Sequence, residues 1–146
     1  MIILLFGQPA SGKTTLALGL LKNNPFIHID GDEWRDVTKN KDYSKSGRVL
    51  NLKGAFDMAL YLERKGHDCL LSFVTPFEQL RKYLSENGKE VHQIYLTYSG
   101  DRGRNTFFAT EFESPSGSYL HLDTSSLSIS ECVAKINEYV RTSIRD

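Results

Sequence analysis

Sulfur and tryptophan are scarce in this chain: it holds two cysteines, two methionines and one tryptophan among 146 residues. Cys69 and Cys132 stand in apolar surroundings without metal-ligand spacing. A thiolate metal centre is therefore excluded, and the two read as reduced core thiols of a cytoplasmic protein. Charge of neither sign is in excess. Eighteen Lys and Arg balance eighteen Asp and Glu, which argues against a large nucleic-acid footprint and leaves room for a local basic site. No apolar run approaches the roughly 20 residues that cross a bilayer. The opening "MIILLF" lacks the basic flank and cleavage site of a signal peptide and reads as a buried strand. Repeats, low-complexity tracts and linkers are missing as well. What remains is the composition of a globular domain, 40% hydrophobic and 25% charged, in a length that suits one domain over 1–146.

Strand and helix signals alternate along it. "MIILLF" is a continuous apolar run of the kind buried on both faces of a parallel sheet. "PFIHID", "DCLLSFV", "HQIYLTY" and "SYLHLD" are strands by composition. "KTTLALGLLK" has helical leucine spacing, and the stretch from Arg48 to Gly66 is a long amphipathic helix ended by glycine. Pro76 and Gly88 bracket a further helix. The last, "SISECVAKINEYVRTSI", is capped by Ser128 or Ser130. The alternation predicts an α/β domain with a mostly parallel sheet and right-handed crossovers. Residues 99–118 form the one long irregular stretch, read as a lid or binding loop.

"GQPASGKTT" lies between the first strand and the first helix. Gly7, Gly12, Lys13 and Thr14 have the P-loop spacing in the strand–loop–helix context that the motif requires. The fold expected is accordingly a P-loop NTPase-type three-layer sandwich, a five-stranded parallel sheet flanked by helices. Glycines let backbone amides turn toward a phosphate, and the helix aims its positive end at the same anion. Gly7, Gln8, Pro9, Ala10, Ser11, Gly12, Lys13, Thr14 and Thr15 are the nucleotide-binding candidates. Lys13 would reach the β- and γ-phosphates of ATP, and the Thr14 hydroxyl would ligate Mg²⁺. The strand "DCLLSFV" has no carboxylate at its end, and no guanine-specificity signature is present. Both absences favour a small-molecule kinase over a GTPase or motor.

"HIDGDEWR" follows the second strand, and the carboxyl ends of strands face the ligand crevice in such sheets. Asp30, Asp32 and Arg35 should therefore lie near the P-loop. One carboxylate would deprotonate an acceptor hydroxyl or hold Mg²⁺ through water, and Arg35 would clamp an anionic acceptor. Asp-Gly-Asp is also ordinary turn chemistry.

Together, "GQPASGKTT" and "DGDEWR" resemble adenylylsulfate (APS) kinase, which phosphorylates the 3'-hydroxyl of APS with ATP. "YSKSGRVLN" is similar to the family's aromatic-Ser-x-x-Asp-Arg-x-x-Asn run, with Gly47 in place of Asp. "SFVTPF" resembles Ser-Phe-Ile-Ser-Pro-Tyr, and the stretch from Phe112 into the last helix is similar too. The resemblance implies Asp32 as catalytic base, Arg35 and Arg48 on the acceptor's phosphosulfate and Asn51 beside them. It places Tyr43 on the acceptor base and Phe73 at the substrate. Ser72 is read as a small residue supporting the P-loop. The lid departs from the family: its lysines are missing, Arg102 and Arg104 stand as replacements at the transferring charge, and Phe107 or Phe108 as the stacking aromatic.

The function expected is ATP-dependent phosphorylation of APS. The alternatives are an enzyme acting on a different nucleotide conjugate or small anionic acceptor, and a nucleotide-binding accessory domain with little turnover. The partner expected is the small-molecule acceptor, with neither nucleic acid nor membrane, and a homodimer is compatible with the sequence.

Overall fold

The computed structural model describes residues 1–100, 109 and 111–144. β1 (Ile2–Phe6) is buried along its whole length. Its side chains alternate between two cores. Ile2, Leu4 and Phe6 meet Leu52, Phe56 and Leu84 on one face, while Ile3 and Leu5 meet Leu16, Leu20, Cys132 and Ile136 on the other. A strand covered by helices on both faces must be apolar at odd and even positions alike, which is why "MIILLF" shows no alternation.

Around β1 stand β2 (Ile27–Asp30), β3 (Cys69–Phe73), β4 (Val91–Thr97) and β5 (Leu120–Asp123). All pairings are parallel, in the order β2-β3-β1-β4-β5. α1 (Lys13–Leu21) and α5 (Ile129–Ile144) cover one face, and α3 (Lys45–Arg64) and α4 (Glu78–Asn87) the other. This is the expected five-stranded three-layer sandwich. β1 is central, so the loop that leaves it opens in the middle of the sheet's carboxyl edge, where open α/β folds bind ligands.

Three local features differ from the sequence reading. "GDEWRDVT" is a helix, α2 (Gly31–Thr38), where the sequence suggested a turn. Asp30 caps it: its side chain accepts the amides of Asp32 and Glu33, and those two acids lie in the first turn, where the helix dipole favours negative charge. α3 starts three residues before Arg48 because the Ser44 hydroxyl accepts the Gly47 amide and caps it. α4 begins at Glu78, after Phe77, so Pro76 precedes the helix instead of opening it. At α5 the structure chooses Ser128. Its hydroxyl accepts the Glu131 amide at 3.1 Å, and the Glu131 carboxylate accepts the Ser128 amide at 3.1 Å, a reciprocal capping box.

Both cysteines are buried free thiols. They belong to opposite cores, so the sheet separates them, and burial pushes the Cys69 thiol up to about 11. Among the described residues no helix is long and apolar enough to cross a membrane.

Candidate active site

The P-loop is held by close approaches. At Gly7 a Cβ would lie 2.3 Å from the Leu96 carbonyl oxygen, so only glycine lets the loop pass β4. Ala10 adopts φ 63, a left-handed conformation rare for a residue with a side chain. The Lys13 ammonium donates to the carbonyls of Gly7 at 3.0 Å and Gln8 at 2.8 Å, which folds it into the loop it serves. Gly12 caps α1 without a side chain, and no acidic residue lies in the first turn. The positive end of α1 is left for an anion.

Next to this cradle lies Asp30, 7% exposed. Its Oδ1 accepts the Thr14 hydroxyl at 3.0 Å and the Ser72 hydroxyl at 2.7 Å. Burial pushes the Asp30 carboxyl up, but the hydrogen bonds from Ser72, Thr14 and the Glu33 amide, with His28 nearby, bring it below the usual carboxylate range. Ser72 therefore supports Asp30, the residue that also holds the Thr14 hydroxyl. Beyond it, His28 Nε2 lies 2.8 Å from Ser72 Oγ, and burial lowers the pKa of the imidazole.

Asp32, in the first turn of α2, is exposed. Its carboxylate makes no hydrogen bond or ion pair with another described residue, and it faces the same cavity as Lys13 and Thr14. That cavity, about 1170 Å³, joins the P-loop to Arg35, Tyr43, Arg48, Asn51 and Phe73. Arg35 Nη1 donates to the Asn40 carbonyl at 3.0 Å and to Asn40 Oδ1 at 3.1 Å. Its guanidinium lies 4.1 Å over the Tyr43 ring, so one face of the aromatic expected to stack on a base is already covered. Asn51 is 7% exposed, and its Oδ1 is buried without a hydrogen-bond partner among the described residues. Phe73 is 3% exposed and packs edge-on against Phe56, more a wall than a contact surface.

Phosphate cradle, carboxylate and guanidinium groups thus share one cleft at the sheet's carboxyl edge. The sequence matches the family described as adenylylsulphate kinase over residues 1–104. The chain belongs to the adenylylsulphate kinase family. Members of this family are phosphotransferases, and so is this chain. It is 27% identical to a probable adenylyl-sulfate kinase of Aeropyrum pernix, with 99% of this chain and 94% of that protein covered. It is 32% identical to a cytidine diphosphoramidate kinase of Campylobacter jejuni, over 65% of this chain and 59% of that relative's length. The structure of Mycobacterium tuberculosis APS kinase in complex with AMPPNP and APS shares the fold, with TM-score 0.82 at 17% identity and 96% of each chain covered.

The family match ends inside the stretch 99–118, where the sequence departs from the APS kinase pattern. Arg102, Arg104, Phe107 and Phe108 lie outside the described residues. Ala109 is placed: Gln8 Nε2 donates to its carbonyl at 3.0 Å, and its amide donates to Gln8 Oε1 at 2.9 Å. The side chain of Gln8, expected at the nucleotide, is thus turned to the backbone at residue 109.

The other departure, Gly47, has a spatial reason. A Cβ there would lie 2.3 Å from Asp42 Cγ and 2.4 Å from the Asp42 carbonyl oxygen, so Asp42 fills the space of a side chain at 47. Gly47→Ala is expected to lose about 1–3 kcal/mol, the usual range for overpacking. Urea unfolding checks it, and an unchanged midpoint would show that the 40–44 loop yields freely.

Sequence reasoning missed the wall formed by Thr124, Leu127 and Ser128. Thr124 Oγ1 donates to the Ser11 carbonyl at 2.8 Å, tying the end of β5 to the P-loop. The Asp-Thr at that strand's end was the available signal. Thr75, buried with φ 47, also lines the cleft, and its place in "SFVTPF" was the signal there.

Proposed function

We propose that this chain transfers the γ-phosphate of ATP to a ribose hydroxyl, the 3'-hydroxyl in APS, of a nucleoside 5'-conjugate carrying a pyrophosphate-like anion. The observation that carries this reading is one cleft lined by Lys13, Thr14, Asp32, Arg35, Arg48 and Asn51 together. Lys13 and the amides at the start of α1 stabilise charge on the transferring phosphoryl group. Asp32 receives the acceptor proton. Arg35 and Arg48 hold the anion, as planar forks suit phosphate and sulfate oxygens, and the unpartnered Asn51 Oδ1 accepts from a donor on the acceptor.

Mg²⁺ fits the residues present. Among the described residues no three His, Cys, Asp or Glu side chains form a protein-only cation site. Mg²⁺ instead takes hard oxygens and much of its shell from substrate phosphates and water. The Thr14 hydroxyl would hold it, with Asp30 behind, and it would neutralise charge between the β- and γ-phosphates.

APS is the first acceptor proposed. A cytidine diphosphate conjugate is the second, favoured by the 32% identity to a cytidine diphosphoramidate kinase and by the departure at 99–118. The test is to incubate the protein with ATP and Mg²⁺, add APS, cytidine diphosphoramidate, AMP or no acceptor, and follow ADP release and product mass. If no conjugate stimulates ADP release above the no-acceptor rate, the reading fails. With the preferred acceptor, Arg48→Ala should raise its KM by about 30-fold or more, since a lost charged contact costs about 2–5 kcal/mol. ATP affinity should hold, and a parallel loss of it would move Arg48 to the donor side.

A further inference from the structure

His28 and Asp30 are two residues apart on β2 and so share a face of the sheet. Ser72 stands directly opposite Asp30 in the register of β3. His28 Nε2, Ser72 Oγ, Asp30 Oδ1 and Thr14 Oγ1 follow one another at 2.8, 2.7 and 3.0 Å. Each hydroxyl has one proton to give, and an ionised carboxylate has none. Ser72 gives its proton to Asp30, so its oxygen can only accept at His28, and His28 must carry its proton on Nε2. Thr14 likewise spends its proton on Asp30. Its lone pairs are then left for the cavity side, the orientation a cation requires.

We propose that His28 is a positioning residue for the Thr14 hydroxyl. By donating to Ser72 it fixes the proton order of the chain, and Thr14 presents lone pairs to a divalent cation. Without an N–H at position 28, the Ser72 hydroxyl is free to turn its proton elsewhere, and Asp30 loses a partner on the oxygen that aligns Thr14. β2 is an edge strand and His28 is only partly buried, so packing alone does not require an imidazole there. The inference rests on the donor half of the proposed function, a nucleotide with Mg²⁺ at Thr14, and is independent of which acceptor is used.

The experiment measures ATP binding by calorimetry without any acceptor, across a Mg²⁺ series and in EDTA, for wild type, His28→Leu and His28→Gln. Glutamine places an N–H near the position of Nε2, whereas leucine has none. In His28→Leu the Mg²⁺ needed for half-maximal binding should rise about threefold to tenfold, less than the ~10–100-fold typical when a direct partner of a ligand is lost. Metal-free ATP binding should stay at the wild-type level, and His28→Gln should restore the Mg²⁺ response. Nitrogen-15 NMR of the wild-type imidazole should show the proton on Nε2, a readout that stands even if the leucine variant does not fold. The proposal is overturned by a leucine variant that responds to Mg²⁺ as wild type does, by equal loss of metal-free binding, by no rescue in His28→Gln, or by an Nδ1–H tautomer. Wild-type binding that ignores Mg²⁺ overturns it as well. Failure of every acceptor in turnover would instead overturn the acceptor reading, because these titrations contain no acceptor.

Discussion

Lys13→Ala is expected to cut kcat by roughly 10²–10³ or more, the usual cost of removing one donor that stabilises developing charge. The Lys13 ammonium is held by the carbonyls of Gly7 and Gln8 and lies 3.4 Å from Ser11 Oγ. It therefore keeps the loop curled as well as charged. Phosphoryl transfer passes through a loose transition state with charge spread over the equatorial oxygens. A cation already fixed beside them costs no reorganisation when the bond breaks. Removing it also leaves two loop carbonyls without their donor, so ATP affinity should fall as well. Calorimetry and a single-turnover assay separate the two losses. A variant that binds ATP and turns over within tenfold of wild type would mean that the loop does not handle the transferring phosphate.

How much of this could be read beforehand follows from how local each signal is. The apolar run of β1 announces a strand buried on both faces, and "GQPASGKTT" announces its loop, because both are contiguous in the chain. α2 was not legible. "DGD" is sound turn chemistry until the Asp30 side chain is seen accepting two amides of the following helix. The start of α3 was obscured by Ser44 and Gly47, which resemble loop residues but are a cap and a point of close contact. Long-range partners left no trace. His28 and Ser72 are 44 positions apart, and nothing next to either in the chain points to the other. Arg81 is a further case: a charged residue in an amphipathic helix, it is 1% exposed, stacks 4.8 Å over Phe6, and donates to the Thr75 carbonyl at 2.6 Å and the Glu113 carbonyl at 2.7 Å. Arg81 secures the wall of the cleft, and only the folded chain shows it.

The two carboxylates of "DGD" should separate cleanly by kinetics. Asp32→Asn keeps shape but loses charge and basicity, and the group has no structural bond to lose among the described residues. Its kcat should fall about 10²–10⁴, the range for a general base, with acceptor KM and the Mg²⁺ response kept. Asp30→Asn meets a different problem. Asp30 Oδ1 accepts two hydroxyls and Oδ2 two backbone amides, whereas asparagine has one oxygen to offer. The amides cannot turn, so the carboxamide oxygen goes to them and the NH₂ faces Ser72 and Thr14. Thr14 must then accept where it donated, and its proton points into the cavity, where a cation would sit. The Mg²⁺ needed for half-maximal turnover should rise about 10–100-fold, as for a lost outer partner of a metal ligand, with much of kcat restored at high Mg²⁺. Mg²⁺ titrations of single-turnover rates on both variants decide the matter. If Mg²⁺ rescues Asp32→Asn and leaves Asp30→Asn inactive, the roles are reversed. If both variants match wild type, the proton goes to another group, and Asp30 and Asp32 line the cleft without chemical use.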